Sequence, residues 1–90
     1  MMKKAVSLTI SGKVQGVGFR WHTKQTADEL NISGFVKNRS DGSVYVEAVG
    51  EDYAIEQFIE WCKQGPSWAR VENVTIGEIP LFETNGFRIS

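Results

Sequence analysis

An α+β fold, with a mostly antiparallel sheet covered on one face by two helices, is what this 90-residue sequence predicts. Three observations lead there. Runs of period two and runs of helical period follow one another in the order β, α, β, β, α, β. The two central strands are joined by an Asp-Gly pair, the signal of an antiparallel hairpin. Ninety residues also make one domain, from 1 to 90, with room for one sheet and one covering layer.

From Lys4 to Lys13 the chain alternates, with Val6, Leu8 and Ile10 on one side and Ser7, Thr9 and Ser11 on the other, the pattern of a half-buried strand. Gln15-Gly16-Val17-Gly18 breaks it. Trp21 to Leu30 reads as a helix, because Thr23, Ala27 and Leu30 share a face, and Asn31 and Gly34 mark its end. Phe35 to Asn38 and Ser43 to Val49 flank the hairpin turn at Arg39-Ser40-Asp41-Gly42. A second helix is expected with Asp52 as its cap, since Ile55, Phe58, Ile59 and Cys62 recur at i, i+3, i+4 and i+7. Gly65-Pro66 stops it. Ala69 to Ile76 is strand-like but alternates poorly around Val71 to Val74, so a bulge or an edge position is expected there. Gly86 to Ile89 adds a short last strand, with Phe87 and Ile89 facing inward and Arg88 outward. Two split crossovers around a hairpin make a ferredoxin-like βαββαβ plait, a fold that says nothing by itself about activity.

Composition narrows the function classes. Net charge is -1, which argues against a general nucleic-acid binder, because that affinity is built from many Lys and Arg contacts to phosphates. The average conceals an asymmetry: residues 1–40 carry a balance of +5 and residues 41–90 a balance of -6. Cys62 is the only cysteine, so neither an intramolecular disulfide nor a cysteine metal site can form, and a reducing compartment is expected. The apolar-leaning stretch after the N-terminal lysines is short and interrupted by Ser7 and Thr9, so neither a signal peptide nor a membrane span is read there.

The informative stretch runs from Gly12 to Arg20, a loop that leaves a strand and enters a helix. Helix N-termini leave N–H groups unpaired and carry positive partial charge, which suits an anion. Gly16 and Gly18 can adopt positive φ and let successive N–H groups converge, while Arg20 adds a planar fork of donors. A plain glycine-rich turn with a solvated arginine accounts for these residues equally simply. The P-loop pattern is absent, and Gly16-Val17-Gly18 lacks the third glycine of the dinucleotide motif because position 21 is Trp.

Two longer segments are more specific. Gly12-x-Val14-Gln15-Gly16-Val17-Gly18-Phe19-Arg20 resembles the first signature of the acylphosphatase family, and Gly34-Phe35-Val36-Lys37-Asn38-Arg39-x-Asp41-Gly42-x-Val44 resembles the second. Similarity extends through Ala27 to Leu30, Phe58-x-x-Trp61, Gly65-Pro66, Ala69-Arg70-Val71 and Phe87-x-Ile89. The resemblance implies hydrolysis of a carboxyl-phosphate anhydride without metal or cofactor. It implies that the backbone of Gln15, Gly16, Val17, Gly18, Phe19 and Arg20 cradles the phosphate, that Arg20 binds it, and that Asn38 positions water. Asn31, where a glycine is common, and Trp21-His22 are mild departures. A monomeric cytoplasmic enzyme acting on a small-molecule acyl phosphate, with no nucleic-acid or membrane partner, is the expectation.

Other side chains have plainer explanations. His22 has no visible carboxylate partner, Cys62 lacks an arginine six residues on, and Phe58, Trp61 and Phe87 read as core aromatics. Lys13, Lys37 and Arg39 either steer anions or simply solvate strand ends. Two rivals stay open: an RNA-binding plait, for which Tyr45 is the one aromatic offered by strands one and three, and a carbamoyl-phosphate-handling domain of the kind found within larger polypeptides.

Overall fold

Hydrophobic alternation in the computed structural model, which describes residues 2–90, fixes which face of each strand the helices cover. The elements are β1 (Lys3–Lys13), α1 (Phe19–Glu29), β2 (Ser33–Asn38), β3 (Val44–Glu51), α2 (Asp52–Gln64), β4 (Arg70–Glu78) and β5 (Phe87–Ile89). They form one sheet in the order β4-β1-β3-β2-β5. The first four strands pair antiparallel and β5 runs parallel to β2. Val6, Leu8 and Ile10 of β1 sit opposite Ala48, Val46 and Val44 of β3, and all six are buried. Phe19, Thr23 and Ala27 of α1 and Ala54, Ile55, Phe58 and Cys62 of α2 close over them. Burial raises the pKa of the Cys62 thiol well above its ordinary value, so the side chain stays protonated and acts as packing.

The helix starts differ from the sequence expectation. α1 begins at Phe19, two residues before Trp21, because Gly18 takes a left-handed φ of 77° and turns the chain directly into the helix. The Phe19 ring packs edge-on against Trp61 at 5.6 Å. Asp52 is not the cap of α2; the extended Glu51 is, and the Asp52 N–H donates to the Met2 carbonyl at 2.9 Å. Asp52 instead occupies the first helical turn, where its charge suits the dipole. Asn31 holds φ 56°, a left-handed conformation that asparagine tolerates and glycine adopts freely.

Both irregularities expected near Val71 to Val74 occur. β4 is an edge strand, and its pairing jumps from Ser11↔Asn73 to Gly12↔Val71, leaving Glu72 as the extra residue of a bulge. At the other edge Phe87 is buried against Phe58, but Ile89 is 40% exposed rather than inward. Ile89 shares a strand face with Phe87, yet β5 is an edge and its last residue reaches the wall of an open cavity.

Gly34 shows how closely β2 and β3 approach. Its φ is 144°, and a Cβ there would lie 1.9 Å from the Glu47 carbonyl oxygen. Gly34→Ala is therefore expected to destabilise the fold by more than about 3 kcal/mol. In a domain this small that is a fall of more than about 12 °C in Tm by circular dichroism. An unchanged Tm would show that the strands can separate without loss.

Candidate active site

The ends of β1, β2 and β5 and the start of α1 meet at one end of the sheet, around a cavity of about 200 Å³. Gly16, Gly18, Phe19, Arg20 and Asn38 line it, so residues 22 positions apart in sequence share one wall. Gly16 (φ 74°) and Gly18 (φ 77°) both have left-handed backbones. Added Cβ atoms would meet nothing within 4 Å at Gly16 and only the His22 ring at Gly18, so conformation, not crowding, calls for glycine. The N–H groups of Gly16, Val17 and Gly18 have no protein acceptor among the described residues. The first turn of α1 adds the unpaired N–H groups that every helix start leaves. Together these form a cluster of donors suited to an oxyanion.

Gln15 lies behind this wall. Its Nε2 donates to the carbonyls of Arg39 at 2.7 Å and Ser43 at 2.9 Å, tying the loop to the hairpin that follows Asn38. Asp41 pins the same turn, since its Oδ1 accepts from the Ser43 N–H at 2.9 Å and the Ser43 hydroxyl at 2.6 Å. Those bonds hold the Asp41 carboxyl below its ordinary pKa. Val17 turns away from the cavity to pack against the core.

Among the described residues lining the cavity, Arg20 alone is charged. Its Nη1 donates to the Ser90 carbonyl at 3.0 Å, which fixes the guanidinium and leaves its other donors available. Asn38 Oδ1 is buried and accepts no hydrogen bond from any described residue. A buried orphan acceptor costs about 1–3 kcal/mol, so it stands out in a natural site. The acylphosphatase family model matches residues 6–89, a span that takes in every residue lining the cavity.

The chain belongs to the acylphosphatase family. An acylphosphatase of Lacticaseibacillus paracasei is 47% identical over 89 residues, covering 98% of this chain and 94% of the relative. A solved acylphosphatase from Coxiella burnetii superposes with a TM-score of 0.94 at 41% identity, over 98% of this chain and 93% of that one. The acylphosphatase from Bacillus subtilis superposes at 0.93 with 34% identity, over 99% of each chain. These likenesses bear out the ferredoxin-like plait and mark the chain as an acylphosphatase-type hydrolase.

Against that family frame the remaining sequence candidates separate. His22 is exposed, packs edge-on to Trp21 at 4.9 Å and does not line the cavity. Lys37 and Arg39 lie over the Tyr45 ring at 5.9 and 3.9 Å, outside the cavity lining. β2 also brings Phe35 within 6.1 Å of Tyr45, an aromatic pair the sequence did not reveal. Arg39 already covers the Tyr45 face, which weighs against base stacking there. A larger cavity of about 930 Å³ lies at the opposite end of the sheet, but its charged lining residues are Glu51 and Glu83 against the single Lys3, a net negative set that disfavours phosphate. Among the described residues no group of three His, Cys, Asp or Glu stands where it could hold a metal ion. Sequence reasoning missed Val14, Ile89 and the Ser90 carbonyl as parts of the site, and met Trp21 only as a mild departure from the family pattern that bears on substrate preference. Exposure of Ile89 follows from tertiary placement, so no local pattern could have found it.

Proposed function

We propose that this acylphosphatase hydrolyses acyl phosphates by holding the phosphoryl group on the backbone amides of residues 15–20 and on Arg20, while Asn38 orients the attacking water. The observation that carries it is the buried, unpartnered Asn38 Oδ1 on the same cavity wall as the Arg20 guanidinium and the glycine amides. Water held by Asn38 attacks phosphorus, the bond from phosphorus to the acyl oxygen breaks, and the carboxylate departs with the bonding pair. A carboxylate is weakly basic and needs no proton from the protein, so a general acid is dispensable. The water's proton passes to a phosphoryl oxygen. Charge on the equatorial oxygens of a loose transition state is then met by fixed amide dipoles and the guanidinium.

A monomeric single domain acting on a small molecule in the cytoplasm is the setting we assign. The lone buried Cys62, which offers no disulfide, fits a reducing compartment. Hydrolysis of acetyl phosphate and benzoyl phosphate in excess EDTA tests the chemistry. Full activity that inorganic phosphate inhibits competitively is expected. Loss of activity on chelation, restored by a divalent metal, would overturn it.

A further inference from the structure

Phosphate chemistry uses only part of the cavity. Its polar side is made by Gly16, Gly18, Arg20 and Asn38, and its other side by Val14, Trp21 and Ile89. Of the exposed large hydrophobic side chains among the described residues, Trp21 (56% exposed) and Ile89 (40%) are the two that border it. Single exposed apolar residues need no explanation, but two on the rim of one cavity form a local apolar surface. Both are carried by regular elements. Trp21 follows Arg20 in the first turn of α1, and its ring meets His22 at an interplanar angle of 88°. Ile89 is paired to Val36, two residues before Asn38 in β2.

We propose that Trp21 and Ile89 form the acyl-binding wall of the site and make it select acyl phosphates with an aromatic or bulky apolar acyl group over acetyl phosphate. The inference rests on the hydrolase assignment above. With the phosphoryl group on the amides and Arg20, the acyl oxygen points away from the polar side and its substituent meets the two side chains. Contact with a phenyl ring removes apolar surface on both partners from water, whereas a methyl group reaches little of it. Such contact persists unchanged from substrate to transition state, so it lowers KM more than it raises kcat.

Steady-state kinetics with benzoyl phosphate and acetyl phosphate test this on the wild type, Trp21→Ala, Trp21→Phe and Ile89→Ala. Wild-type kcat/KM is expected to favour benzoyl phosphate. That preference should fall about tenfold in Trp21→Ala, mostly through KM, and about threefold in Ile89→Ala, and Trp21→Phe should restore most of it. A ratio of the two kcat/KM values is insensitive to loss of folded enzyme, so misfolding cannot imitate the result. An unchanged ratio in both alanine variants would overturn the wall while leaving the hydrolase intact. Wild-type inactivity toward both substrates would overturn the hydrolase assignment and the wall together.

Discussion

Arg20→Ala is expected to lower kcat/KM for benzoyl phosphate by at least about 10²–10³-fold, the usual loss when one preorganised donor is taken from a charge-stabilising site. Arginine contributes more than a donor, because among the described residues it is the only charged one lining the cavity. The Ser90 carbonyl, 3.0 Å from Nη1, holds the guanidinium plane so that its remaining N–H groups stay aligned. Lysine cannot substitute for that arrangement: an ammonium is a point charge that cannot bond Ser90 and grip two phosphoryl oxygens in one plane. Arg20→Lys should therefore lose about 10²-fold as well. Neither change should disturb the fold, since Ser90 is the one protein acceptor of the Arg20 side chain among the described residues. Thermal midpoints within about 3 °C of wild type would accompany the kinetic loss. Near wild-type turnover in Arg20→Lys would refute the fork.

Local chemistry explains how much of this could be read in advance. Alternation in β1, the Asp41-Gly42 turn and the apolar stripe of α2 are properties of neighbouring residues, and all three elements formed where expected. Gly16 and Gly18 were legible for the same reason, as a positive φ is a demand on one residue. What escaped depends on contacts across the fold. Whether Asp52 or Glu51 caps α2 turns on the Met2 carbonyl, 50 positions away. Gly34 looks like an ordinary helix-stop residue until β3 is laid against it with the Glu47 carbonyl in the space of a Cβ. Gln15 reads as part of a phosphate cradle, and only the packed hairpin shows its side chain acting as a tie. Ile89 alternates correctly with Phe87, but alternation cannot tell where the helical cover ends. The family signatures reached the site because they span both segments, whereas composition and periodicity describe each alone.

Asn38→Ala is the second large effect expected, and it should separate activity from stability. Asn38 Oδ1 is buried without a donor from any described residue, so removing the carboxamide breaks no hydrogen bond that this oxygen makes to the protein. Thermal stability should therefore hold, within about 1 kcal/mol of wild type, or 4–8 °C in Tm. Activity should not hold, with kcat falling about 10²–10³-fold as the water loses its acceptor. Asn38→Asp sharpens the test, because it keeps the shape and the acceptor oxygens but sets a negative charge beside a phosphoryl group. Its activity should also collapse at neutral pH, and recover in part as the pH falls, where the carboxyl is protonated and the repulsion disappears. A purely structural asparagine would lose stability on conversion to alanine and show no acid recovery as aspartate. Kinetics across about pH 3–8, paired with thermal melts of the same variants, therefore distinguish a water-orienting amide from a packing residue.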